Sequence, residues 1–278
     1  MMSMLRLSSH LTDQVLARLG LTAAPPTLSF LEALVNAYVR TVPWETVFRI
    51  VKRANVVETA VCPRWPDEFW LDNLERGGGG TCFESNYAFF SLLRALGYEG
   101  YLTVNNMGDS IGCHTAIILL VDGMKWLVDA GYPLYAPLPI SPHGVMHRAT
   151  AFMSYALYPE GDAVYQVEQK PHPNPNAFTL IDAPIADAAY RAATTADYGP
   201  DGFFLDRIVV NKVVDGTLWR FNSTEKPWRL NRFQNGARVD VDIIGDAATA
   251  VARHFQMDEA VVQTAFAALQ LSADSNRA

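Results

Sequence analysis

Arg76-Gly77-Gly78-Gly79-Gly80-Thr81-Cys82-Phe83-Glu84 is the stretch that decides how this chain of 278 residues is read. A cysteine follows four glycines and opens what the sequence predicts as a helix. Thr81 and Glu84 have the T-x-x-E spacing of a capping box, which satisfies orphan backbone donors at a helix start. Cys82 then takes the first helical position, at the positive end of the helix dipole. That field favours thiolate over thiol, and the thiolate is the nucleophile. The glycines let the backbone approach a substrate closely, and N–H groups of the glycine loop or of the residues after Cys82 are expected to face an oxyanion.

Working outward, Phe83, Tyr87, Phe90 and Leu93 fall on one helical face, and Gly97 closes that helix. Upstream, Leu11, Val15, Leu16 and Leu19 have helical spacing ended by Gly20. Leu28, Leu31, Leu34, Val35 and Tyr38 form a second stripe, stopped by Pro43. Downstream the period changes to two, predicting strands at 98–105, 115–121, 125–128, 207–214 and 218–221. Proline-rich loops lie at 133–142 and 171–175, and 183–202 reads as a connector. The tail 246–271 is helical, with Val251, Phe255, Val262, Phe266 and Leu269 as core contacts. Helices, then strands, then a mixed segment, then helices predict an α+β protein of several lobes, not a doubly wound sheet.

At 50% hydrophobic and 18% charged residues the composition is that of a soluble globular protein with a large core. A net charge of −7 argues against nucleic acid or an anionic membrane as partner. The longest apolar run, 116–121, is too short to span a bilayer, and no secretory signal is visible in the first 20 residues. Cys62, Cys82 and Cys113 lack CxxC spacing and fit a reducing, cytoplasmic setting better than a disulfide framework or a zinc site. His143 and His147 are spaced i, i+4 in a proline-rich loop with no third ligand, so no metal site is expected.

The partners of Cys82 follow from strand geometry. Asp122-Gly123 is a two-residue hairpin turn signal. It sets Val121 opposite Met124 and, counting back, Ala116 opposite Asp129. His114 shares a sheet face with Ala116. His114 and Asp129 are therefore diagonal neighbours at roughly 7–8 Å between backbones, within reach of their side chains. Cys82 attacks, His114 takes or holds its proton, and Asp129 fixes the imidazole. Cys113 points to the opposite face and is expected to pack in the core. Glu45 and Glu84 read as structural, satisfying backbone groups or pairing with arginine. Phe203, Phe204 and Trp228 read as core more readily than as a substrate wall.

These residues resemble the arylamine N-acetyltransferase family. Its R-G-G-x-C-F-E-x-N signature is similar to Gly79-Gly80-Thr81-Cys82-Phe83-Glu84-Ser85-Asn86. Its V-D-V-G-F-G segment resembles Val128-Asp129-Ala130-Gly131-Tyr132-Pro133, and its I-P-F-E-N segment resembles Val42-Pro43-Trp44-Glu45-Thr46. The resemblance implies a helical lobe (1–98) carrying the nucleophile, a β-barrel lobe (99–200) carrying the histidine and aspartate, and an α/β lid (201–278), around a cysteine-protease-like core. It implies acetyl transfer from acetyl-CoA, a cosubstrate and not a bound cofactor, to an arylamine, hydrazine or related amine. Cys82 is then the acetylated nucleophile, His114 the base and Asp129 the orienting acid, with CoA contacts at Gly202, Phe203 and Phe204. Three departures stand out. Gly78 occupies the place of the signature arginine, with Arg76 two positions upstream. Asp201 lies in the CoA segment, where it would disfavour a CoA phosphate. Tyr132-Pro133 replaces a Phe-Gly pair. The rival readings are an amide synthase closing a macrolactam from a carrier-bound acyl chain, a Cys-His-Asp hydrolase or peptidase, and an idle binding protein.

Overall fold

The computed structural model describes residues 6–200, 202–234 and 236–271. In chain order its elements are α1 (Ser9–Arg18), α2 (Leu28–Thr41), β1 (Trp44–Glu45), α3 (Val47–Asn55), α4 (Pro66–Arg76), α5 (Cys82–Ala95), β2 (Glu99–Met107), β3 (Ser110–Val121), β4 (Met124–Val128), β5 (Leu138–Ile140), β6 (Met146–Ala149), β7 (Ser154–Gly161), β8 (Val164–Lys170), β9 (Asn176–Ile181), α6 (Asp187–Ala196), β10 (Val209–Val214), β11 (Thr217–Asn222), β12 (Arg229–Gln234), β13 (Ala237–Asp242), α7 (Ala247–Phe255) and α8 (Glu259–Ala268). Contacts group the chain into two compact units, Met1–Val39 with Cys82–Tyr190, and Arg40–Thr81 with Arg191–Ala278. This grouping differs from a linear division at residues 98 and 200. The segment 40–81 joins the C-terminal part because β1 pairs with β10 and α3 packs on α8.

The first unit holds an eight-stranded antiparallel sheet in the order β5-β4-β3-β2-β9-β8-β7-β6. It curls until its edge strands β5 and β6 come alongside one another, a nearly closed barrel. Asp122 (φ 52°) and Gly123 (φ 75°) are both left-handed, the requirement of a two-residue turn whose twist matches its strands. The β3–β4 register is the expected one, Val121 opposite Met124 through to Ile117 opposite Val128. Inward residues of neighbouring strands fill the barrel, among them Ala116, Ile118, Leu127, Tyr155, Val167 and Phe178. α5 lies against β2 and β3. The sequence stripe understates its burial: every residue from Phe83 to Leu93 is buried. Such a helix has no solvent face, so Ser85, Asn86 and Ser91 need partners inside.

The second unit carries a five-stranded antiparallel sheet, β1-β10-β11-β12-β13. Phe48, Val210, Phe221, Trp228, Val251, Phe255, Val262 and Phe266 make its core. The helical tail consists of two helices. α7 ends on Gln256 in a left-handed conformation, and Asp258 caps α8 by accepting from the Val261 N–H. The connector 183–202 contains α6, and the proline-rich stretch 133–142 contains β5. Among the described residues no helix is long and apolar enough to cross a membrane.

Candidate active site

Cys82 is the first residue of α5, as the sequence predicts, and is half-buried. Its Sγ donates to the Cys113 carbonyl at 3.6 Å, and its own carbonyl accepts from Thr115 Oγ1 at 3.0 Å. The residues on either side of His114 therefore both bond to Cys82. His114 Nε2 lies 2.6 Å from Asp129 Oδ2, and both side chains are buried. The parity argument from the hairpin thus brings these two together across the β3–β4 ladder. Cys113 departs from expectation. Its thiol is only half-buried and donates to the Ser110 carbonyl at 3.3 Å, because the β2–β3 pairing slips at Asn105–Met107, loosening the strand start.

Asp129 is held as an acceptor from several directions. Oδ1 accepts from the Gly131 N–H (2.8 Å), the Tyr132 N–H (2.8 Å) and Asn86 Nδ2 (3.0 Å). A carboxylate so surrounded has only its second oxygen left for His114, which must present Nε2–H to it. Nδ1 then carries the lone pair that can accept a thiol proton. Asn86, four residues after the nucleophile on α5, supplies one of these donors. Its amide also donates to the Thr115 carbonyl (2.6 Å) and accepts from the Ala130 N–H (2.8 Å), pinning α5 to β3 and to the end of β4. Tyr190 adds a second tie, donating to the Phe83 carbonyl at 2.7 Å, with Thr115 Oγ1 at 3.2 Å. Burial drives its phenol well above the ordinary tyrosine range, so it remains a donor. No pattern in the sequence links Asn86, Thr115 and Tyr190, which stand as far as 104 positions apart.

Space at the site is tight. A Cβ on Gly131 would stand 2.2 Å from Cys82 Cα and 2.6 Å from its Cβ. The imidazole of His114 packs against Phe178 with centroids 4.6 Å apart and meets Tyr132 nearly at right angles at 6.1 Å.

In the second unit the glycines prove to serve packing. The N–H groups of Gly77, Gly78 and Gly79 bond to the Asn73 carbonyl, the Asp72 carbonyl and Glu45 Oε1, at 3.1, 3.2 and 3.0 Å. These three are spent, which removes them from the two sets of amides expected to face an oxyanion and leaves those that follow Cys82. A Cβ would meet the Phe48 ring at 2.8 Å from Gly78, and the Pro43 carbonyl at 1.8 Å from Gly79. Glu45 is structural, its other oxygen accepting from the Phe48 N–H at 3.0 Å. Arg76 is half-exposed and pairs with Asp72. The buried guanidinium under the loop belongs to Arg64, which donates to the Gly79 carbonyl (2.7 Å) and to Asp72 (3.2 Å). Arg49, also buried, donates to Thr81 Oγ1 (2.6 Å) and to Asp197 (2.7 Å). Neither arginine lies in a recognisable motif.

The same unit holds the segment expected to contact CoA. Gly202 is packed so closely that a Cβ would lie 2.0 Å from the Asp197 carbonyl. The Phe203 N–H donates to Asp197 Oδ1 at 3.2 Å, leaving its ring 48% exposed. Phe204 has a left-handed backbone and stands edge-on to Trp44 at 5.2 Å. Phe203 is thus not a core residue, whereas Trp228 is. Asp201 lies outside the described residues.

Comparison with known proteins gives a consistent result. Residues 27–218 match the N-acetyltransferase family. The arylamine N-acetyltransferase of Salmonella typhimurium superposes with a TM-score of 0.77 at 18% identity, covering 95% of this chain and 100% of that one. The Mycobacterium marinum arylamine N-acetyltransferase in complex with CoA gives 0.76 at 19%, covering 93% and 98%. At these identities the likeness is one of fold. A proansamycin X synthase of Amycolatopsis mediterranei (strain S699) is 27% identical over 125 residues, 41% of this chain and 46% of that protein, so the match spans about half of that curated relative.

Proposed function

The chain belongs to the arylamine N-acetyltransferase family, and we propose that it moves an acetyl group from acetyl-CoA to an arylamine, hydrazine or related amine through an acetyl-Cys82 intermediate. The observation that carries this reading is the bracketing of His114: Cys113 and Thr115 both bond to Cys82 while His114 itself bonds to Asp129. His114 Nδ1 takes the thiol proton, and the thiolate attacks the thioester carbonyl. The tetrahedral adduct collapses with expulsion of the CoA thiolate, which recovers that proton from the imidazolium. The acceptor amine then attacks the acetyl-cysteine, His114 removes its proton, and the Cys82 thiolate leaves. Asp129 holds the imidazole orientation and stabilises the imidazolium throughout. With the Gly77, Gly78 and Gly79 amides spent, the first-turn amides of α5 are the donors for the oxyanion.

Gly202, Phe203 and Phe204 are proposed as CoA contacts, supported by the exposed Phe203 ring. The setting is proposed to be cytoplasmic, in keeping with three cysteines outside any disulfide, and no nucleic acid takes part. A second reading, an amide synthase acting on a carrier-bound acyl chain, is favoured by the partial similarity to a synthase. Intact-mass spectrometry after mixing with acetyl-CoA separates the two. One acetyl adduct on Cys82, discharged by an added arylamine, is expected. An enzyme that p-nitrophenyl acetate acetylates but acetyl-CoA does not would refute the CoA-dependent reading.

A further inference from the structure

We propose that Gln169 is a positioning residue for acyl transfer, acting on His114 through the phenol of Tyr132. The proposal rests on the role assigned to His114 above. Tyr165, Val167 and Gln169 are the inward, buried positions of β8, and Gln169 is the amide in that row. Packing alone would be met by leucine there, and a buried amide is unfavourable unless it is hydrogen-bonded. Gln169 Nε2 donates to the Tyr132 hydroxyl and has the Asn174 carbonyl at 3.5 Å, and the Gln169 N–H donates to the Pro175 carbonyl at 2.8 Å.

Tyr132 is consequently fixed at both ends. Its N–H is bonded to Asp129 Oδ1 and its hydroxyl to Gln169. A ring anchored at backbone and tip cannot swing about its side-chain torsions. That ring stands at 82° to His114 and at 72° to Phe178, with centroids 6.1 and 6.3 Å away. Phe178 is in turn closer to His114 than Tyr132 is and sits opposite Val167 in the β8–β9 ladder. One nitrogen of the imidazole is bonded to Asp129, which leaves rotation about that bond to be limited by the rings around it. Tyrosine stands here where the motif that this segment resembles has phenylalanine. Phenylalanine could not accept from Gln169.

Loss of one well-placed aromatic contact lowers occupancy of the productive imidazole orientation by about three- to tenfold. The test is a double-mutant cycle with Gln169→Leu, Tyr132→Phe and the pair, read as the rate of Cys82 acetylation by p-nitrophenyl acetate, with thermal melting alongside. Each single variant is expected to slow acetylation by that factor, and the double variant no further. Gln169→Glu, whose carboxyl can accept from the phenol, is expected to recover most of the rate. A folded Gln169→Leu protein with parent rate, or fully additive losses, overturns the proposal. So does a Gln169→Glu rate as low as that of Gln169→Leu despite equal stability. Should Gln169→Leu fail to fold, Tyr132→Phe and Gln169→Glu decide by the same readout. If the parent enzyme is acetylated elsewhere than Cys82, the functional reading itself falls, a result distinct from any of these.

Discussion

Asp129→Asn removes a charge while keeping shape, and the structure dictates which way the new amide points. Oδ1 of Asp129 accepts from three N–H groups, those of Asn86, Gly131 and Tyr132. Turning the amide nitrogen toward them would strand three buried donors at about 1–3 kcal/mol each. The amide oxygen therefore stays with the three donors, and its NH2 faces His114 Nε2, 2.6 Å from the oxygen it replaces. Two N–H groups cannot face one another, so Nε2 surrenders its proton and Nδ1 carries it. The nitrogen that should accept the Cys82 proton is then already protonated. The corresponding change in a serine triad lowers turnover about 10⁴-fold, and the same tautomer argument predicts a loss of that order here, near 5.5 kcal/mol. Because the three N–H bonds survive, the fold is expected to survive too, with a melting point within a few degrees of the parent. Rapid-quench mass spectrometry of Cys82 acetylation, paired with circular-dichroism melting, measures both. A folded variant acetylated within tenfold of the parent rate would refute the reasoning and point to another group orienting His114.

Other perturbations are equally specific. Gly131→Ala places a Cβ 2.2 Å from Cys82 Cα, against about 3.4 Å for ordinary contact; a shift of about 1 Å at the nucleophile predicts roughly 10²-fold slower acetylation, and a normal rate would show the strand end yields freely. Iodoacetamide at neutral pH should label Cys82 ahead of Cys62, which is fully buried, and Cys113; peptide mapping that finds Cys113 first would count against an activated Cys82. Arg64→Met leaves Asp72 and the Gly79 carbonyl without their buried guanidinium and should lose about 3–5 kcal/mol in denaturant unfolding, whereas Arg76→Met, on the exposed partner of Asp72, should lose under about 1 kcal/mol. Burial holds His254 below the ordinary histidine value, so its stabilising contribution is complete above about pH 6.5 and is lost as pH falls through that value toward the folded one. His254→Phe should flatten the decline of melting temperature between about pH 7 and 5, and an unchanged slope would assign the decline to other groups.

Local chemistry made much of this protein legible in its sequence. The glycine-cysteine stretch set a helix starting at Cys82, because glycine punctuation and a change of hydrophobic period act over a few residues, whereas the Thr81 hydroxyl is taken by Arg49. Asp122-Gly123 specified a turn whose parity alone placed His114 beside Asp129, since a two-residue hairpin leaves no freedom in register. What stayed hidden depends on residues distant in sequence. Asn86 reads as one more polar residue on a helix until α5 is seen buried against β3 with that amide bonded to Thr115, Asp129 and Ala130. Gln169 acquires meaning only once the barrel turns β8 inward toward Tyr132. The glycines illustrate the same limit from the other side. Their identity signals close approach, but whether that approach is to a substrate or to Pro43 and Phe48 is decided by which segments pack over them. Pattern and turn chemistry are short-ranged and can be read along the chain. Hydrogen-bond partners of a buried group are chosen by the tertiary fold, because every buried donor must find an acceptor wherever the packing brings one.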